Sequence, residues 1–157
     1  YQKGYRMADM ELRAVDDTNR EAVLALRVRP DQEGYIETTA QCLQDAMDCP
    51  YYRPLALYHG GALVGFAMVG FFPREGGGGR LWLDRLLLGD RWQGRGLGRK
   101  ALEALIAMLM AVYGPQDLYL SIYEDNAHAL RLYRQFGFVM NGELDAHGEK
   151  VMVRRLT

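Results

Sequence analysis

Two cysteines, three histidines and five prolines in 157 residues, with no excess of either charge, remove several function classes at once. Cys42 and Cys49 stand in a stretch of helical spacing, roughly 10 Å apart along a helix axis, so they do not pair with each other. The histidines, at 59, 128 and 147, are scattered, and no His/Cys group has metal-ligand spacing. These features predict packed thiols, no metal and a cytoplasmic setting, and no stretch has the make-up of a secretory leader. Nineteen Lys and Arg against 20 Asp and Glu give a net charge of −1, which provides no whole-molecule field for nucleic acid or an anionic membrane. The longest strongly apolar run, Ala101 to Val112, is interrupted by Glu103 and is shorter than the roughly 20 residues of a spanning helix. Neither nucleic acid nor a membrane is expected as a partner.

What is present suits one packed domain. A hydrophobic content of 49% with 25% charged residues excludes disorder, collagen-like repeats and coiled coils, and the length suffices for a sizeable core. Residues 1–9, with possible start methionines at Met7 and Met10, read as an N-terminal arm outside the fold, and residues 10–157 as the domain.

Along that domain, Met10 to Val15 is a strand candidate, and Asp16 to Asn19 offers capping side chains for a helix from Arg20 to about Val28. A second helix spans Thr38 to Asp48. Leu55 to Tyr58 and Leu63 to Phe72, joined at His59-Gly60-Gly61, read as a hairpin, and Leu81 to Leu88 as the next strand. A long helix follows from Leu97 to about Val112, stopped by Gly114-Pro115. Then come a strand from Leu118 to Tyr123, a helix capped by Asn126 and running to about Phe136, and strands Val139 to Leu144 and Lys150 to Leu156. The class is α/β, with no repeat and no linker.

The chemistry concentrates where Gln93-Gly94-Arg95-Gly96-Leu97-Gly98, followed by Arg99 and Lys100, lies between a strand end and a helix start. Glycines admit close backbone approach, and the open amides of a first helical turn attract anions, phosphate above all. The run matches neither the dinucleotide fingerprint nor a P-loop, since the glycine offsets and the residues after Gly98 are wrong for both. A second group, Asn126, Ala129, Tyr133, Phe136, Gly137 and Phe138, also reads as an apolar helix face with a glycine C-cap.

Together these two groups, in this order and context, resemble the paired signature of the GNAT superfamily of N-acetyltransferases, and the element order resembles theirs from Met10 onward. A narrower resemblance, to bacterial spermine/spermidine N-acetyltransferases of the Blt type, is carried by Tyr35-Ile36-Glu37, Tyr51 to Pro54, Trp82 to Arg85, Leu120 to Ile122 and the tail segments Asn141 to Asp145 and Gly148 to Val153. The resemblance implies a single-domain GNAT fold, a mixed, mostly antiparallel sheet of six to seven strands flanked by about four helices. It implies acetyl-CoA as cosubstrate, a polyamine as acceptor, and homodimers as a frequent state, with Phe71, Phe72 and the last strands as contacts.

By the same resemblance, Gln93, Gly94, Arg95, Gly96, Leu97, Gly98, Arg99 and Asn126 hold coenzyme A, and the backbone of Leu86 and Leu88 pairs with its pantetheine arm. Tyr133 is then the general acid, also touching the cofactor, and the Leu88 N–H polarises the thioester. A phenol near pKa 10 is a chemically sound proton source for a desolvated thiolate. Asp84 is the expected proton acceptor, with Glu124 as fallback, and strict alternation places Asp84 in one register with Leu86 and Leu88. Glu33, Glu37 and Asp84 are expected to meet the ammonium groups, and Tyr35 and Trp82 to offer aromatic faces. Competing structural readings are an Asp84 ion pair with Arg85 or Arg53, solvated charges at Glu33 and Glu37, and core packing of Tyr35 and Trp82. Competing functions are acetylation of another amine, such as an aminoglycoside, an amino acid or a protein N-terminus, and a non-catalytic acyl-CoA sensor.

Overall fold

The computed structural model describes residues 4–35 and 37–157. Its chain order is β1 (Gly4–Met7), β2 (Met10–Ala14), α1 (Arg20–Leu24), α2 (Thr39–Asp48), β3 (Tyr52–His59), β4 (Ala62–Pro73), β5 (Gly79–Leu88), α3 (Leu97–Tyr113), β6 (Asp117–Ile122), α4 (Ala127–Gln135), β7 (Val139–Leu144) and β8 (Lys150–Arg155). Short 3₁₀ turns at Pro30–Gln32 and Asp90–Trp92 interrupt the connections. One sheet runs β1-β2-β3-β4-β5-β6-β8-β7, antiparallel throughout except for the β5/β6 pair. That single parallel step is where the long crossover through α3 is required.

The sheet has eight strands rather than six or seven. The additional one is β1, drawn from the segment that the sequence left outside the fold; it pairs antiparallel with β2 from Gly4↔Arg13 to Met7↔Met10. Helix α1 is also shorter than expected. It ends at Leu24 because Arg27 Nη1 turns back onto the carbonyls of Leu24 and Leu26, at 2.7 and 2.9 Å, ahead of Pro30. Asn19 occupies the N-cap of α1 without a side-chain capping bond. Instead its Oδ1 accepts the Asp16 N–H, and Asp16 Oδ1 accepts both N–H and hydroxyl of Thr18, so these residues shape the preceding turn.

Two apolar layers sandwich the sheet. On one face α3 inserts Leu97, Ala101, Leu102, Leu105, Met108 and Leu109 against Leu81, Leu83, Leu118, Leu120 and Met152. On the other, Val23, Cys42 and Leu43 of α1 and α2 cover Ala56, Phe66, Met68 and Leu87. Burial pushes the Cys42 thiol up to about 11, the inert state of a packing cysteine. Phe71 stacks on Tyr113, and Phe72 meets Tyr51 and Tyr52 edge-on, so both rings serve the chain's own packing. Among the described residues no helix is long and apolar enough to cross a membrane.

Candidate active site

The parallel neighbours β5 and β6 are paired only at Leu81↔Leu118 and Trp82↔Tyr119. Beyond those residues the strands part. Gly89 N–H bonds Val64 on the β4 side at 2.8 Å, so strand alternation turns the peptide groups of Leu88 and Leu86 away from β4 and into the gap. A cavity of about 1020 Å³ occupies this opening, with Leu86, Leu88, Leu120, Ile122 and Tyr133 on its wall. Its size suits a ligand with a long flexible arm.

One end of the cavity is the glycine loop. Gly94 and Gly96 have φ of 77° and 75°, conformations that a Cβ disfavours, and they bring the backbone round so that α3 starts at Leu97. No side chain caps this helix, and its first return bond at the cap runs from Lys100 N–H to Gly96 at 3.3 Å. The amides of Leu97, Gly98 and Arg99 therefore face the cavity as open donors, a cradle for a diphosphate. Gln93 braces the loop: its Nε2 donates to the Leu88 carbonyl at 3.0 Å and to Gln32 Oε1 at 2.7 Å. Arg99 is hydrogen-bonded to Gln135 and lies over the Phe136 ring, 5.2 Å from its centre. Arg95 does not reach the wall; it packs over Trp92 at 5.4 Å.

Helix α4 supplies the opposite wall. Asn126 sits at its N-cap and faces the cavity, but makes no capping bond, contrary to expectation. Tyr133 is held edge-on by Phe138, 5.7 Å between ring centres, and its carbonyl accepts the Phe138 N–H. Burial pushes its phenol up to about 12, so it is protonated throughout the neutral range.

The other face of the sheet, under α2, carries the acidic groups. Here the alternation expected from sequence fails. Val69 pairs with Leu83 and Met68 with Arg85, which leaves Asp84 as the extra residue of a β-bulge. Leu86 and Leu88 pack with the α3 layer, whereas Asp84 joins Arg85 beneath α2 and is out of register with them. Arg85 Nη1 lies 2.9 Å from Asp84 Oδ2 and Nη2 lies 2.7 Å from Glu37 Oε1. The ion pair and the cavity position coexist. Burial raises the Asp84 carboxyl above its ordinary value, Arg85 opposes the shift, and Glu37, Asp45 and Asp145 reinforce it.

Glu33, Tyr35 and Glu37 also line the cavity, from the segment between α1 and α2. Tyr35 packs against Tyr123 at 6.1 Å, and burial followed by the Asp125 carboxylate raises its phenol. Two expected substrate residues stand elsewhere. Trp82 packs on Tyr119 at 5.4 Å, short of the cavity wall, because it precedes the point where the strands part. Glu124 lines a separate shallow cleft beside α4 and approaches Lys150 at 3.9 Å, rather than standing on the wall of this cavity.

Sequence reasoning missed Glu149 and its neighbours. Glu149 lies on the cavity wall at the end of the β7–β8 turn. Burial first, then the adjacent Asp145 carboxylate, pushes it up to about 7. The one available signal was Asp145 four residues earlier in a tight turn, whose Oδ1 accepts the backbone N–H of both His147 and Glu149.

The chain matches the family model described as Acetyltransferase (GNAT) family over residues 15–138. It is 53% identical, over 94% of its length and 99% of the relative's, to the spermine/spermidine N(1)-acetyltransferase of Bacillus subtilis strain 168. A probable spermine N(1)-acetyltransferase of Bacillus subtilis subsp. natto is 52% identical over the same shares. Among solved structures, spermidine N-acetyltransferase from Vibrio cholerae in complex with CoA and spermine superposes with a TM-score of 0.70 at 16% identity, covering 96% of this chain and 97% of that one. At that identity the likeness concerns the fold.

Proposed function

The chain belongs to the acetyltransferase (GNAT) family, and from that premise we propose that residues 10–157 transfer acetyl from acetyl-CoA to a primary amine of a polyamine such as spermidine or spermine, in the cytoplasm. The observation that carries this reading is a single opening in the sheet with an anion cradle on one side and carboxylates on the other. The identity to polyamine acetyltransferases supports the choice of acceptor.

Acetyl-CoA, when bound, supplies the acetyl group as a thioester. The residues present fit it: open amides at Leu97 to Arg99 meet the diphosphate, with Gly94 and Gly96 giving clearance. The peptide groups of Leu86 and Leu88, which lack a strand partner on the β6 side, receive the amide-bearing arm. The Leu88 N–H then donates toward the thioester carbonyl and favours negative charge there. The Leu88 carbonyl, in the next peptide plane along the chain, is fixed by Gln93, so the backbone just past this N–H is held before any ligand arrives.

The amine arrives as an ammonium, and only about one molecule in a thousand is neutral at pH 7. Asp84, with its carboxyl raised by burial, accepts that proton, and Glu37 shares the Arg85 counter-charge. Tyr133 gives its phenolic proton to the departing thiolate from the α4 side, and the proton that the attacking nitrogen loses as the amide forms restores the phenol. Tyr35 presents an aromatic face to the cationic chain.

A spectrophotometric thiol-release assay with acetyl-CoA and a panel of amines tests the proposal. Spermidine and spermine should lead aminoglycosides, amino acids and an N-terminal peptide in kcat/KM. Preference for one of the others would replace the acceptor, and no turnover with any amine would leave an acyl-CoA sensor.

A further inference from the structure

The carboxylates on the amine side of the cavity differ in what already neutralises them. Glu37 and Asp84 share Arg85, at 2.7 and 2.9 Å. Glu149 has no such partner: among the described residues, no Lys, Arg or His side chain lies within 4.0 Å of the carboxylate oxygens of Glu149 or Asp145. Instead the Glu149 backbone N–H donates to Asp145 Oδ1 at 2.9 Å, which holds the two residues together, and the Asp145 carboxylate raises the Glu149 carboxyl. Asp145 is in turn fixed by two backbone N–H groups, those of His147 and Glu149, at 2.8 and 2.9 Å.

Two neighbouring carboxyl groups do not both ionise without cost, so Glu149 holds its proton to higher pH than a free carboxyl. Glu149 lines the same cavity as Asp84, and their surroundings are electrically joined, since Arg85 acts on Glu149 and Asp145 acts on Asp84. The neighbours that bear on Glu149 are Asp145 and His147 of its own turn and Arg85 of β5, while Lys150 beside it is directed to Glu124. The open coordination at Glu149 is therefore for a cation that the chain itself does not provide.

We infer that Glu149, braced by Asp145, binds a second, non-reacting ammonium of the polyamine and so selects diamines and polyamines over monoamines. This rests on the proposed amine acetylation. No covalent step is involved: the ammonium replaces the proton held at Glu149, which leaves to water.

The test compares wild type with Glu149→Gln at saturating acetyl-CoA, using spermidine as substrate and butylamine as a competing inhibitor of its acetylation. The expected result is a rise in KM for spermidine of at least about tenfold, the value of one charge-assisted hydrogen bond, carried by KM rather than kcat. The butylamine inhibition constant should not move with it. Wild-type KM for spermidine should also fall as pH rises through about 7, where Glu149 ionises, and the variant should lose that inflection. Asp145→Asn should shift KM in the same direction by less. Coenzyme A titration and thermal melting of each variant establish that the fold is intact. An unchanged spermidine KM in a folded variant, or an equal weakening toward butylamine, overturns the inference and leaves the acetyltransferase reading standing. A wild type that acetylates no amine removes both.

Discussion

Gln93 donates its side-chain amide to Gln32 at 2.7 Å, tying the glycine loop, the proposed diphosphate cradle, to the segment that carries Glu33, Tyr35 and Glu37. The same amide reaches the Leu88 carbonyl, so three parts of the site are fixed by one side chain. Gln32→Ala breaks the link to the amine side, together with the Arg29 N–H bond to the same Oε1 at 3.3 Å, and leaves the Gln93 bond to Leu88 in place. It should raise KM for spermidine about threefold to tenfold, the range of one neutral hydrogen bond, while calorimetric coenzyme A affinity holds. An equal fall in coenzyme A affinity would make Gln32 a support of the phosphate loop instead.

As the proposed proton donor, Tyr133 must stay protonated. Its phenol is pushed up to about 12, so kcat should show no loss from its ionisation between pH 7 and pH 10. Tyr133→Phe should lower kcat by about a hundredfold or more with coenzyme A binding retained. Near-native turnover in the variant would assign the ring to packing with Phe138.

Asp84→Asn should depress kcat/KM for amines, and the loss should shrink as pH approaches the amine pKa, because more substrate then arrives neutral. The pH profile separates this from damage to the Arg85 ion pair, which would cost the same at every pH. A pH-independent defect would take Asp84 out of proton transfer.

Glu149 also links folding to pH. Its folded value, about 7, exceeds the ordinary 4.5, so between those pH values the native state keeps a proton that the unfolded chain has lost. Its contribution is full below about 4.5 and disappears as pH rises through about 7. Asp84, also raised, acts in the same direction. Urea melts of wild type should therefore show stability declining from pH 5 to pH 8, and Glu149→Gln should flatten that decline in part. A slope identical in both proteins would mean that Glu149 is not the titrating group.

Features that depend on one stretch of chain were legible in the sequence. The glycine loop, the helix behind it and the stop at Gly114 follow from positive-φ requirements and helical period, and all three stand where expected. Features that depend on a partner were not. The bulge at Asp84 exists only in the pairing of β5 with β4, so a strand read by itself gives the wrong face for that carboxylate. The β7–β8 turn reads as an ordinary polar connection, and only its position beside β6 brings Glu149 to the cavity. Strand β1 is a four-residue edge strand with a single half-buried side chain, Tyr5, and offers no alternation to read.

The parting of β5 from β6 has a mechanical consequence. With two residue pairs holding them, the sheet is two leaves, β1 to β5 and β6 with β8 and β7, fastened at one end and crossed by α3. A ligand bonded to the exposed peptide edges of Leu86 and Leu88 stands in for the missing rungs of the ladder. If coenzyme A binds there as proposed, its arrival should stiffen both leaves together, and protection of backbone amides against exchange should spread far beyond the atoms it touches.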